Sequence, residues 1–165
     1  MITRIAKVAL LAAVALFYTL VVLNNTTDFD SNYQFVRHVL SMDSTFAGNK
    51  AMWRALSNPA WHIAFYFSII TWEIITMILS WWGAIALLRA IGKPASEFLA
   101  AKRIPIIALT LGMLMWMVAF LTVGAEWFLM WQSHTWNGQE AAFRMFVVLG
   151  VILLILLQPD QETQP

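Results

Sequence analysis

The chain contains no cysteine. Disulfides, thiolate metal sites and thiol redox chemistry are therefore excluded. Charge is also scarce. Asp, Glu, Lys and Arg together make up 12% of the 165 residues, and the net charge is +1. Nucleic-acid binding needs a clustered basic face, and none can be built from so few cations. There are only three histidines, His38, His62 and His134, and no two of them have an i, i+4 or other close metal-binding spacing. No dinucleotide fingerprint, phosphate-binding loop or nucleophile–base pair is present, and no internal or inverted repeat with matching broken helices. No cofactor is predicted, and an enzyme is the least favoured class.

What the chain has in excess is apolar surface. Hydrophobic residues make up 61% of it, where a soluble domain is nearer half. The length leaves no room for a second domain of ordinary size, so 1–165 is read as one integral membrane domain. About twenty apolar residues cross a bilayer core, and four runs meet that length, at about 5–23, 59–88, 105–131 and 140–157. The first follows Arg4 and Lys7 and ends in Leu23-Asn24-Asn25-Thr26-Thr27-Asp28. That is not a small-x-small cleavage site, so an uncleaved span is expected. The fold class is an all-α, four-transmembrane-helix, up-down-up-down bundle, left-handed as membrane bundles usually are.

Between the first two spans lies a long polar connection, Asn24 to Asn58. Asp30 or Ser31 can cap a short amphipathic helix over Asn32 to Met42, with Phe35, Val36, Val39, Leu40 and Met42 on one face. A second amphipathic piece runs from Ala51 to Leu56. This loop is either a lid or partner surface, or a packing element lying on the membrane. Asn58-Pro59 is an N-cap followed by a proline in the first turn, so it starts the second span. Arg89 to Ile104 reads as a short basic loop, and Asn137-Gly138 as a turn before the fourth span. Arg4, Lys7, Arg89, Lys93, Lys102 and Arg103 share one side with both termini, which the positive-inside rule places in the cytoplasm. Trp53, Trp61, Trp127, Trp131 and Trp136 then fall at the outer interface.

Charges inside spans are expensive and need a reason. Counting along the helices puts Glu73 roughly 22 Å above Leu88 and Arg144 roughly 20 Å above Leu157. This shared depth predicts an interhelical Glu73–Arg144 ion pair, which either fixes helix register or forms part of a proton or ion relay. Glu140, one turn earlier, is an alternative partner for Arg144. On the outer side a polar cluster is predicted from Asp28, Asn32, His38, Asp43, His62, Glu126, Gln132, His134 and Asn137. The histidines with Asp28, Asp30, Asp43 and Glu126 have the chemistry of a divalent-metal site, but their spacing argues instead for histidines bonded to loop backbone. Residues two apart face away from one another on a helix, so Met113, Met115 and Met117 form no soft-metal set. Hydroxyls in the spans are read as interhelical hydrogen bonds.

Two stretches carry a family resemblance. The first is Asn25-Thr26-Thr27-Asp28 with Ser31-Asn32, Phe35-Val36, His38-Val39 and Ser41-Met42-Asp43-Ser44-Thr45. The second is Glu126-Trp127-Phe128-Leu129-Met130-Trp131-Gln132-Ser133 with Trp136-Asn137-Gly138-Gln139 and Ala142-Phe143-Arg144. Together they resemble the bacterial family of predicted small integral membrane proteins of unknown function (domain-of-unknown-function family 2165). The resemblance implies a bacterial inner-membrane location and no particular activity, and it draws attention to the outer face. Two function classes follow. One is a non-enzymatic accessory or scaffold subunit that presents its outer loops to a membrane or periplasmic protein. The other is an oligomeric ion- or small-solute-transporting protein using Glu73 and Arg144. The lipid bilayer is the one partner common to both.

Overall fold

The computed structural model describes residues 1–160. Residues 161–165, the last five of the polar tail expected over Asp160 to Pro165, lie outside them. Among the described residues there are helices and no strands. In chain order they are α1 (Ile2–Thr27), α2 (Phe29–Ser41), a 3-10 turn (Met52–Arg54), α3 (Pro59–Arg89), α4 (Ala95–Ala101) and α5 (Arg103–Leu114). A π-helical segment (Met115–Trp127), a second 3-10 turn (Met130–Gln132) and α6 (Gln139–Leu157) complete the chain. Four stretches, Ile2–Thr27, Pro59–Arg89, Ala95–Trp127 and Gln139–Leu157, are long and apolar enough to cross a membrane. The fold is a helical membrane bundle.

Several predicted boundaries move, each for a local reason. α1 continues through Thr26 and Thr27, whose hydroxyls bond back to the carbonyls of Val22 and Leu23. The amphipathic helix then begins at Phe29, with Asp28 alone separating it from α1. Its apolar face is the predicted one: Val36, Val39, Leu40 and Met42 are buried. The basic connection 89–104 is not simply a loop, because Pro94 turns the chain and α4 follows it. The third span is two kinds of helix in series rather than one. The start of α3 is as expected, with the Asn58 side chain accepting a hydrogen bond from the Ala60 amide at 2.9 Å and Pro59 in the first turn.

Lipid-facing and inward-facing sides are sorted by polarity, and the sorting is clearest on α3. Beside Ala84, its buried positions are His62, Tyr66, Ile70, Glu73, Thr76, Ser80, Gly83 and Leu87. They recur every three or four residues and so form one helical stripe. The opposite side shows Phe67, Ile75, Ile78, Trp82 and Ile85 to the surroundings. In lipid, tails are as apolar as leucine, so burying leucine gives no advantage. Close packing and interhelical hydrogen bonds hold the helices together instead. Two glycines mark the tightest contacts. A Cβ on Gly83 would stand 2.9 Å from the Pro105 ring, and one on Gly112 would stand 2.7 Å from the Tyr18 hydroxyl. The first lets α3 approach α5, and the second makes room on α5 for the Tyr18 side chain from α1. Trp72 adds an indole hydrogen bond from α3 to the Leu111 carbonyl, at 3.1 Å.

The end of the bundle near the termini is stitched by cations. Arg4 on α1 donates to the carbonyls of Ile91 and Lys93 at 3.1 and 2.6 Å, and its guanidinium lies 4.8 Å from the Phe98 ring. Lys7 and Lys102 both donate to the Gln158 carbonyl, just past the end of α6, at 2.6 and 2.9 Å. Both also pair with the Asp160 carboxylate. Lysine at a helix C-terminus satisfies carbonyls that have no intrahelical donor and favours the helix dipole. Arg4, Lys7 and Lys102 are 1%, 4% and 1% exposed. Three of the cations that the sequence assigns to the side of the termini are therefore buried fasteners.

Candidate functional site

The site lies in the other half of the molecule, under α2. α1 ends close to the middle of α3, so its last turn meets Glu73 rather than the outer end of that helix. The Asn25 side-chain amide donates to a Glu73 carboxylate oxygen at 2.6 Å. The Tyr66 hydroxyl, two turns earlier on α3, donates to the Asn25 carbonyl at 3.1 Å. Asn25, Tyr66 and Glu73 are 7%, 2% and 3% exposed. A carboxyl this deep requires a hydrogen-bonding partner to offset its desolvation, and Asn25 meets that need on one oxygen. No protein donor reaches the other oxygen among the described residues.

Glu73 lines a cavity of about 280 Å³ between α1, α2, α3, the π segment and the start of α6. Phe35, Tyr66, Trp116 and Phe120 supply its aromatic walls, and Asn32 and Ala141 stand at exposed positions on its rim. A second, almost wholly apolar cavity of about 220 Å³ adjoins it and shares Phe35, Val36, Ile69 and Phe120. Trp116, Val118, Ala119, Phe120, Val123 and Gly124, which line one cavity or the other, all belong to the π segment. π-helix is rare, and where it occurs it is frequently at functional sites. Here its i→i+5 bonding extends to a side chain, with the Thr122 hydroxyl bonded to the Met117 carbonyl at 2.9 Å.

α2 and the segment after it close over this region. The Leu56 amide donates to the Leu40 carbonyl at 2.8 Å, and His62 Nε2 donates to the Leu56 carbonyl at 2.6 Å. That bond sets the tautomer, since a carbonyl can only accept. The buried Nδ1 of His62 has no partner among the described residues. His38 stacks on Trp136 with ring centroids 4.5 Å apart and holds the Asp43 carboxylate at 2.8 Å. Ser44 donates to Ser133 at 2.8 Å, and Gln132 accepts from the Phe46 amide at 3.1 Å. Arg54 lies over both the Trp53 and Trp127 rings, at 5.2 and 4.9 Å.

Of the predicted outer-face residues only His38 and Asp43 are paired with each other among the described residues, and the others are used separately. Asp28 accepts from Ser31, and Asn137 accepts from the Gln139 amide. Glu126 and His134 are exposed, and Asn32 is at the cavity rim. No group of three acidic or histidine side chains among the described residues could hold a metal ion.

Glu73 and Arg144 are not brought together. No ion pair among the described residues joins them, and Arg144 is exposed. Equal depth does not fix angle. The inward face of α6 carries Ala142, Leu149 and Leu156, seven residues apart, and Arg144 is two positions off that line, on the opposite side of the helix. α6 packs chiefly on α5 and the π segment, so the neighbour that reaches Glu73 is α1. Glu140 is exposed and does not pair with Arg144 either. Reading the sequence missed Asn25, Tyr66 and Trp116 as members of the site. The repeat His62, Tyr66, Glu73, Thr76, Ser80 was the available signal, since polar residues at helical spacing within a span mark its protein-facing side.

A family model described as predicted small integral membrane protein (DUF2165) matches residues 3–159. No curated protein and no solved structure matches the chain.

Proposed function

We propose, from the premise that the chain belongs to the family of predicted small integral membrane proteins, that it is a non-enzymatic accessory or scaffold subunit of the bacterial inner membrane. In this reading 1–165 is a single domain with both termini in the cytoplasm, and the cap formed by residues 28–58 faces outward to a membrane or periplasmic protein. The observation that carries the reading is the cap itself. It is bonded to α3, to the turn at Met130–Gln132 and to its own ends, so it offers a prearranged surface. A surface that is already ordered binds without first giving up loop entropy. Phe46, Trp53, Trp127 and Trp131 remain exposed on and beside it. The bundle below Glu73 gives further support, because Leu11, Val14, Tyr18, Leu87, Leu109 and Leu149 form one buried apolar cluster. Such a dry layer opposes ion passage.

The test is a photocrosslinking amino acid at Trp53 in living cells, combined with a flux assay on the purified chain in liposomes. Crosslinking to one other membrane or periplasmic protein, with silent liposomes, is the expected result. Proton- or solute-dependent flux that disappears in Glu73→Gln would replace this reading with transport by an oligomer. The open cavity at Glu73 is the feature that favours that second reading. Crosslinks between identical chains would make the cap a self-association surface.

A further inference from the structure

We propose that the cavity around Glu73 binds a lipophilic organic cation. Its charge and its shape point to the same class of ligand. One carboxylate oxygen is held by Asn25, and the other has no protein donor. No lysine, arginine or histidine lines this cavity or the apolar one beside it. An anionic headgroup would find no counter-charge here. Calcium or magnesium would need about six oxygen ligands, and zinc a set of His or acidic side chains that the described residues do not assemble; the lining offers mainly aromatic carbon. Phe35, Tyr66, Trp116 and Phe120 instead present ring faces or edges around a carboxyl. Aromatic rings attract a cation through their quadrupole, more strongly once both are out of water. Quaternary and aryl-substituted cations need no oxygen cage, so rings and one acid suffice.

The apolar body of such a ligand has a place as well. The neighbouring cavity continues past Phe35, Val36, Ile69 and Phe120 toward Trp72 and Phe128. Its walls are almost free of polar groups, so it suits an aryl or alkyl substituent. The exposed rim at Asn32 and Ala141 gives the ligand a way in from the surface.

The probe is tetraphenylphosphonium, titrated by equilibrium dialysis into the full chain purified in neutral detergent, with neutral triphenylphosphine oxide as the comparison. Saturable binding of the phosphonium at one site per chain is expected, weakened at least about ten-fold by Glu73→Gln and by Phe120→Ala, with little binding of the neutral compound. Size-exclusion profiles show whether each variant is folded. A second measurement needs no variant. Dicyclohexylcarbodiimide adds to a membrane-embedded carboxyl and leaves an N-acylurea, which mass spectrometry locates. The phosphonium should slow that labelling at Glu73 in the unaltered protein. Equal affinity for the neutral compound, full binding by folded Glu73→Gln, or labelling at an unchanged rate would each overturn the proposal. The accessory role is decided separately, by the crosslinks from the cap.

Discussion

Asn25 closes on Glu73 at 2.6 Å, joining the last turn of α1 to the middle of α3 through a buried side-chain hydrogen bond. The Tyr66 hydroxyl sits on the Asn25 carbonyl at 3.1 Å, so the same asparagine is tied at both its side chain and its backbone. This contact fixes how far α1 extends along α3. It also leaves the N-terminal part of α3 to be covered by α2.

Asn25→Ala should therefore destabilise the bundle. It removes the donor and leaves a buried carboxyl without a protein partner, a change worth about 1–3 kcal/mol. Glu73→Gln keeps an acceptor for Asn25 and should cost less. Thermal unfolding in detergent, followed by near-ultraviolet circular dichroism, gives the order. A lower Tm for Glu73→Gln than for Asn25→Ala would contradict it.

Arg144→Gln should leave the Tm unchanged, because the guanidinium is exposed and makes no bond among the described residues. If Arg144 were the counter-ion of Glu73, the same substitution would strand a buried charge and lower stability by about 3–5 kcal/mol. The two outcomes are far enough apart for a single melting experiment.

Asp160 gives the protein an acid-sensitive fastening. Burial alone would raise its pKa, but the Lys102 and Lys7 ammonium groups outweigh that and hold the carboxyl below its ordinary value. A depressed folded-state pKa adds stability that is fully present above the unfolded value, near 4, and is lost as pH falls through the folded value. This contribution to the Tm should be flat between about pH 5 and pH 7 and should fall away below about pH 4. Asp160→Asn should lower the Tm at neutral pH and flatten the decline, since two buried lysines lose their anion. A decline of the same depth in Asp160→Asn would assign the acid sensitivity to other carboxyls.

Gly83→Ala should be more harmful than Gly112→Ala. The Cβ on Gly83 meets the rigid Pro105 ring at 2.9 Å, and clearing it means separating α3 from α5. At Gly112 the obstacles are the Tyr18 hydroxyl and a Leu149 methyl, at 2.7 and 2.9 Å. Both are side-chain ends that can shift. Overpacking of this kind costs about 1–3 kcal/mol, so the difference should appear in Tm and in the yield of monodisperse protein.

The legible parts of this chain are those that depend on local chemistry. Asn58-Pro59 announced the start of α3 because capping and proline geometry act within one turn. Val36, Val39, Leu40 and Met42 announced the buried face of α2 because helical period does not depend on what is packed against it. The bonding of the cations at the termini end was not legible, for the opposite reason. Arg4, Lys7 and Lys102 have the composition of a solvated loop, and only the folded chain brings the carbonyls of Ile91, Lys93 and Gln158 within their reach. The π segment was likewise invisible, since its residues are those of any apolar span.

Composition and periodicity alone determined that this is a bundle of apolar helices with one acid held deep in it, because lipid as solvent requires long runs with every backbone group bonded internally. They could not choose the acid's partner. Depth along a helix can be counted from sequence, but angle around the bundle depends on which helices become neighbours. It was the packing of α1 against α3, and of α6 against α5 and the π segment, that gave Glu73 to Asn25 and turned Arg144 outward.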